Sequence, residues 1–255
     1  MILKRILKKI AKIIFGRFKL RLRRRKLEKK LAVINGQLSF KITSYYSRNS
    51  NDILVKLCDQ YGSDKGSEQN LNPYPWDSHS YADFYSRHFA SCRNNIKKVF
   101  ECGIGTNNPN IPSNMTVNGI PGASLRVWRD YFPNADIFGG DIDAEILFEE
   151  DRIKTFYLDQ LNPNAIKIFW DTVGITDFDL MIDDGLHTFD AGLTLFIHSI
   201  CHLSSDGVYV IEDVQNKDLF KYKTFFEHSN YNVDFILLDR PTLDLADNNL
   251  VVIRK

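Results

Sequence analysis

Two spacings of apolar residues alternate along this 255-residue chain from residue 97 to its end. Short continuous runs predict buried strands: "KKVFECGIG", "ADIFGGDID", "IKTFYLDQ", "FDLMIDDG", "VYVIEDV", "NVDFILLDR" and "NLVVIRK". Between them, apolar residues three and four apart predict helices. "SLRVWRDYF" sets Leu125, Trp128 and Tyr131 or Phe132 on one side, "PNAIKIFWDTVG" follows, and "FDAGLTLFIHSICHLSSDG" is a helix closed by a glycine-containing turn. "LFKYKTFFEHS" is helix-prone as well. Alternating strands and helices predict a doubly wound α/β fold, a mostly parallel seven-stranded sheet covered on both faces. The last two runs leave no room for a helical crossover, so they form an antiparallel pair.

In such a sheet, ligands bind beyond the carboxyl ends of the strands. The polar clusters fall at those ends: Glu101 to Gly105, Asp141 and Asp143, Asp159, Asp183 to His187, and Glu212 with Asp213. That convergence is the strongest functional signal read from the residues themselves.

Upstream, residues 31–60 read as mixed helix and turn. "QYGSDKGSEQNLNPYPWDSHSYADFY" (60–85) reads as an ordered, functional loop leading into a helix. Three regions are expected: a basic arm at 1–35, a helical and loop cap at 36–96 that contributes to an acceptor site, and a cofactor-binding domain at 97–255.

Charge changes the picture at the amino end. Residues 1–30 hold 14 Lys or Arg and one acid, Glu28, about +13, which leaves about −12 on the rest against a whole-chain net of +1. Leu3, Ile6, Leu7, Ile10, Ile13 and Ile14 recur at helical spacing between lysines that rule out a membrane span or signal core. The arm is either a basic amphipathic helix on an anionic membrane surface or a segment that packs on the domain, an oligomer partner or nucleic acid. Cys58, Cys92, Cys102 and Cys201 have neither a CxxC pair nor zinc-like spacing. A reducing cytoplasm fits, at the inner face of the membrane if the arm binds lipid.

The motifs each carry two readings. Gly103 and Gly105 allow a close backbone approach to a ligand, or a plain turn; there is no GxGxxG fingerprint. Asp141 can accept from ribose hydroxyls or serve as a simple N-cap. Asp159 can accept from an adenine amino group or begin the "NPN" turn. Adjacent acids at a strand end hold a metal or cap the next helix. His79, Trp76 and Tyr81 either line an acceptor pocket or pack in the core.

Taken in order, these segments resemble the class I S-adenosylmethionine-dependent methyltransferases over residues 60–255. "YGSDKG", "PGASLRVWRDYFPNADIFGGDID", "YLDQ", "MIDDGLHTF" and "YVIEDV" resemble the branch of metal-dependent macrolide-sugar and surface-glycan O-methyltransferases. The resemblance implies S-adenosylmethionine and Mg2+ or a similar divalent cation as cofactors. It implies Asp184, Glu212 and Asp213 as metal ligands, with Asp184 and His187 as catalytic residues and His187 the base. Glu101, Gly103, Asp141 and Asp159 are the implied cofactor contacts, and Gly105, Ser124, Asp143, Gln160 and Asp183 on the same segments complete the candidate set.

Two features depart from the pattern. "TNNPNIPSNMTVNGIPGA" (106–123) is surplus and is expected as a loop over cofactor and acceptor. Leu186 stands where a small residue is common. The implied activity is methylation of a sugar or sugar-linked group, a phosphoramidate included, on a capsule or surface-polysaccharide precursor, by a monomer or homo-oligomer. Two alternatives remain: a nucleic-acid methyltransferase gripping phosphates with the arm, which the acidic body opposes, and a non-catalytic cofactor-binding scaffold.

Overall fold

The computed structural model describes residues 41–44, 51–66, 74–238 and 245–255. The described residues all belong to one compact unit, Phe40–Lys255. The basic arm therefore lies outside the described residues. No helix among them is long and apolar enough to cross a membrane.

Among the described residues nine strands form a single sheet: β1 (Lys41–Ser44), β2 (Lys98–Cys102), β3 (Asp136–Asp141), β4 (Glu149–Glu150), β5 (Ile153–Tyr157), β6 (Phe178–Asp183), β7 (Leu203–Ile211), β8 (Asn232–Leu238) and β9 (Asn249–Arg254). Their order is β1-β8-β9-β7-β6-β2-β3-β5-β4. The seven predicted strands are all present, parallel from β7 to β5, with β9 antiparallel to both β7 and β8. Short β1 and two-residue β4 extend the two edges beyond the seven expected. Neither has the length or apolar run that marks a strand in sequence.

Six helices are described: α1 (Ile53–Tyr61), α2 (Tyr81–Phe89), α3 (Ala123–Tyr131), α4 (Pro163–Val173), α5 (Phe189–Ser199) and α6 (Leu219–Phe226). The sheet's two-residue period decides which side chains meet them. Val99, Leu180, Ile182, Val208 and Val210 point to the face covered by α1, α2 and α3, where Leu54, Tyr85, Leu125, Trp128 and Phe132 complete a buried core. The intervening Phe100 packs on the other side against Phe169 and Trp170 of α4, with ring centroids 5.2 and 4.9 Å apart. Asn162 caps α4 by accepting from the backbone N–H of Asn164 and Ala165, Pro163 follows, and Gly174 closes the helix in the left-handed conformation.

One boundary differs from expectation. The α5 helix stops at Ser199, and "LSSDG" belongs to β7 rather than to a turn. Leu203 pairs with Phe178 across an irregular register. Gly207 makes this possible, because a Cβ there would sit 2.7 Å from the Phe178 carbonyl oxygen.

The chain turns outward through β2, β3 and β5, then returns to lay β6 and β7 on β2's other side. The crevice at that reversal, beyond the carboxyl ends of β2 and β6, is the place such sheets offer a ligand.

Candidate active site

A cavity of about 510 Å3 occupies that crevice, within the range of small-molecule sites. One end is walled by Gly103 to Thr106, Ser124, Asp141 and Leu158 to Leu161. At the other stand Tyr74, Trp76, His79, Tyr81 and Asp247, and Asp184, His187 and Asp213 lie on its lining too. Ile111 to Met115, from the surplus segment, line it as well.

Strand alternation separates the adjacent acids. Asp183, in phase with Met181, leaves the cavity and joins a smaller cleft with Gly192, Asp218 and Tyr222. There its Oδ1 accepts from Gln160 Nε2 at 2.6 Å, and burial pushes its carboxyl up to about 7. Asp184, one residue on, faces the cavity. Glu101 and Glu212 share the α1–α3 face with Val99 and Val210, because each lies two residues further along its strand.

Into this group of carboxylates comes Lys65, a residue to which the sequence reading gave no role. Gly62 ends α1 in the left-handed conformation. The segment after it is then held by His79 N–H donating to the Asp64 carbonyl and Ala82 N–H donating to that of Lys65, at 2.9 and 2.8 Å. Lys65 is 2% exposed. Its Nζ lies 2.6 Å from Asp184 Oδ2 and 3.2 Å from Glu101 Oε1, and also contacts Glu212 Oε2. Burial opposes the charge on Lys65, but Asp184, Glu212 and Glu101 more than compensate and hold its ammonium charged well above the ordinary lysine pKa. The outer oxygens are occupied too: Glu101 Oε2 accepts from Trp128 Nε1 at 2.8 Å, and Glu212 Oε1 from the Tyr85 hydroxyl at 2.6 Å. The available signal for Lys65 was its place in "YGSDKG", and no local pattern says which acids a lysine there will meet.

On the far side of Asp184 is a second group. His187 Nε2 lies 3.3 Å from Asp184 Oδ1 and 3.3 Å from Asp213 Oδ2. His187 and Asp213 both have positive φ, 57° and 52°, a backbone cost that functional sites commonly retain. Asp213 Oδ1 accepts from the Tyr81 hydroxyl and is 3.3 Å from His79 Nε2. Burial lowers the proton affinity of His187, but Asp213 and then Asp184 reverse this and raise its pKa to about 10. Burial raises the Asp184 carboxyl, yet Lys65 and His187 together hold it down at about 2. Glu212 thus groups with Glu101 and Asp184, whereas Asp213 groups with Asp184 and His187.

The candidate cofactor residues have mixed duties. Gly103 and Gly105 both have positive φ on the cavity wall. Asp141 accepts from Ile104 N–H and Asp143 N–H, each at 2.9 Å, and so shapes the turn. Asp143 takes the Thr106 hydroxyl and the N–H of Glu145 and does not line the cavity. Asp159 accepts from Leu161 N–H at 3.0 Å while lining the cavity. Ser124 lines it beside Glu101, whose burial-raised carboxyl its hydrogen bond helps to lower.

Gln160 is a brace between β5 and β6: it donates to Asp183 and accepts from Leu186 N–H at 2.9 Å. Gln160→Leu removes the close donor to the buried Asp183 carboxyl, leaving it the Gly185 N–H at 3.4 Å, and takes the acceptor from the part-buried Leu186 N–H. The expected loss is about 2–4 kcal/mol of stability, read as a lower denaturation midpoint at unchanged m-value. A loss under about 0.5 kcal/mol would remove the brace.

The site suits a divalent cation. One lysine among three carboxylates leaves negative charge in excess, and burial pushes the two that are buried, Glu101 and Glu212, upward despite Lys65. His187 Nε2 is buried without a hydrogen bond beside two carboxylates that a cation would satisfy. Hard carboxylate oxygens are what Mg2+ prefers.

No family model matches the chain. It is 32% identical over 163 residues to the 8-demethyl-8-α-L-rhamnosyl tetracenomycin-C 2'-O-methyltransferase of Streptomyces olivaceus, covering 64% of this chain and 38% of that protein. It is 36% identical over 141 residues to the demethylmacrocin O-methyltransferase of Streptomyces fradiae, covering 54% and 33%. The chain thus spans about a third of the length of these curated relatives. Among solved structures, the MycE methyltransferase of the mycinamycin biosynthetic pathway, in complex with Mg, SAH and mycinamycin VI, superposes with a TM-score of 0.58. Identity there is 25%, over 79% of this chain and 54% of MycE.

Proposed function

We propose that this chain, which resembles the metal-dependent macrolide-sugar branch of the class I S-adenosylmethionine-dependent methyltransferases in sequence and fold, is itself an S-adenosylmethionine-dependent O-methyltransferase acting on a sugar hydroxyl. One observation carries the reading: Asp184, Asp213 and His187 meet on the lining of the cavity that the glycine turn after β2 also walls.

Asp184 and Asp213 hold the cation in this reading. A hard divalent ion held by these carboxylates would supply Lewis acidity toward the acceptor hydroxyl and make its proton easier to remove. His187 Nε2 stands beside both carboxylates and accepts the hydroxyl proton once their charge is neutralised. Gly103 and Gly105 bring backbone close to the donor, and Asp141 fixes their turn through Ile104. Positioning the hydroxyl oxygen in line with the sulfonium methyl supplies much of the rate. Trp76 stacks on Tyr74 with centroids 5.0 Å apart, a flat wall against which a sugar ring can lie.

The cavity is acidic: Asp64, Asp141, Asp159, Asp184, Asp213 and Asp247 line it with Lys65. Such a lining attracts a sulfonium donor and a metal ion and repels a polyanion, which weighs against nucleic acid. It also favours a neutral sugar hydroxyl over an anionic phosphoramidate. The basic residues 1–30 support a surface-glycan precursor at an anionic membrane as the acceptor.

The test is a screen of methyl glycosides and glycan precursors with labelled S-adenosylmethionine, with and without chelator. Transfer to a neutral sugar, falling about 100-fold or more in chelator while S-adenosylhomocysteine still binds, is the expected result. Undiminished turnover in chelator would overturn the metal role, and absence of donor binding the whole reading.

A further inference from the structure

Two segments bring apolar side chains to the cavity without a part in the chemistry above. Ile111, Pro112 and Met115 come from the uncharged 106–123 segment, and Leu186 stands one residue before His187. Leu186 is half-buried and lies outside the core on the α1–α3 face. The two segments meet, with Ser113 Oγ 3.5 Å from the Leu186 carbonyl oxygen.

Both are held in place. Leu186 N–H donates to Gln160 Oε1 at 2.9 Å, and a Cβ on Gly185 would lie 2.3 Å from that same oxygen, so the turn sits tight against Gln160. Across the cavity, Met115 N–H donates to the Thr106 carbonyl at 2.7 Å. The Asn107 side-chain amide donates to the carbonyls of Thr116 and Gly119 at 2.6 and 2.8 Å. A Cβ on Gly119 would lie 2.4 Å from the Met115 Cβ, which leaves that loop no slack.

We propose that Leu186 is a specificity-determining residue: with Ile111 and Met115 it forms a fixed apolar wall that admits only sugars unbranched beside the reacting hydroxyl. This deepens the proposed function and rests on its sugar acceptor. Methyl transfer needs the acceptor oxygen about 3–3.5 Å from the methyl carbon, with His187 in hydrogen-bond reach of the same oxygen. The carbons flanking the hydroxyl-bearing carbon lie two bonds from that oxygen, so a large substituent on either is carried toward whatever adjoins the base. Leu186 adjoins it along the chain, and His187 at φ 57° fixes the backbone between them. Only rotation of the leucine side chain is left to make room. A free hydroxyl on a flanking carbon is small enough to pass, whereas a linked group meets the wall. Water exclusion is the competing role for Leu186. Cutting back a shield slows every acceptor alike, but cutting back a selective wall opens the site to branched ones.

The test compares two acceptors on the full chain: a methyl glycoside that is turned over in the screen, and the same glycoside carrying a benzyl ether next to the reacting hydroxyl. kcat/KM is measured for the wild type, Leu186→Ala, Leu186→Met and Ile111→Ala, with S-adenosylhomocysteine binding as the check that each variant is folded. The wild type should prefer the unbranched acceptor by about 100-fold. Leu186→Ala should cut that preference at least about tenfold by gaining rate on the benzyl ether. Leu186→Met, close to leucine in volume, should keep it within about threefold. Ile111→Ala should shift it in the same direction as Leu186→Ala, which carries the test if the alanine at 186 folds poorly.

Equal slowing of both acceptors in Leu186→Ala would make the leucine a shield, and the proposal would fall. A preference unchanged in both alanine variants, or a wild type that uses the two acceptors equally, would overturn it too. These outcomes leave the methyltransferase reading standing. Turnover of no glycoside by wild type that binds S-adenosylhomocysteine would instead sink the sugar acceptor itself, and the role of Leu186 with it.

Discussion

Asp213→Asn is expected to lower methyl transfer about 1,000-fold, with donor affinity unchanged within about twofold. The substitution keeps the side chain's shape and removes its charge. Asp213 Oδ2 faces His187 Nε2 at 3.3 Å, and Oδ1 faces His79 at 3.3 Å and takes the Tyr81 hydroxyl. An amide there leaves Asp184 as the carboxylate in contact with His187 Nε2, and on the proposed reading the cation loses a charged ligand. The loss should therefore sit in kcat and in metal affinity, while S-adenosylhomocysteine, which the other end of the cavity is proposed to hold, binds as before. The measurement is single-turnover transfer to the acceptor found in the screen, with Mn2+ titration of the same sample. Retention of more than about a tenth of the wild-type rate would show that Asp213 serves only to orient its neighbours.

Gly103→Ala should be the most damaging single methyl group in the chain's core. Gly103 has φ +85°, and a Cβ there would fall 2.0 Å from the Asp184 carbonyl oxygen and 2.6 Å from its carbon. Those are backbone atoms of the turn after β6, so no rotamer can relieve the contact. The two strand ends must part, which puts at risk the bonds from Asp184 N–H to the Cys102 carbonyl at 2.9 Å and from Gly103 N–H to that of Gly140 at 2.8 Å. We expect a loss of about 4 kcal/mol or more, about 10 °C in melting temperature for a domain of this size, together with donor binding. Gly174→Ala is the control. It shares a positive φ of +67°, but its Cβ would meet nothing nearer than 3.9 Å. A cost of about 1 kcal/mol is expected there, from backbone conformation alone. Equal losses at the two glycines would refute the steric account of the turn.

Much of this molecule is legible from residue order. Seven strands and the helices between them follow from runs and spacings, and Leu125, Trp128, Tyr131 and Phe132 are all buried. The site is legible in outline because a parallel sheet delivers every strand's carboxyl end to one edge, so acids at those ends must gather. The register of β7 was not, because a glycine's near contact with Phe178 is invisible until the strands are paired. The short edge strands were missed for a similar reason, since two or four residues take their strand character from a neighbour.

The division of labour among the acids marks the limit. Asp183 and Asp184 are consecutive, yet alternation sends the first to the cleft beside Gly192 and the second to the cavity. Which face was solvent and which was core depended on where the helices packed. Lys65 meets Asp184 across 119 residues of chain and Glu212 across 147. Local side-chain chemistry and periodicity therefore determined the elements, their order and the edge at which the polar groups collect. Only the tertiary packing of α1 and α2 on the sheet decided which cation each carboxylate would face, because charge pairing acts over a few ångströms of space and not over positions in the chain.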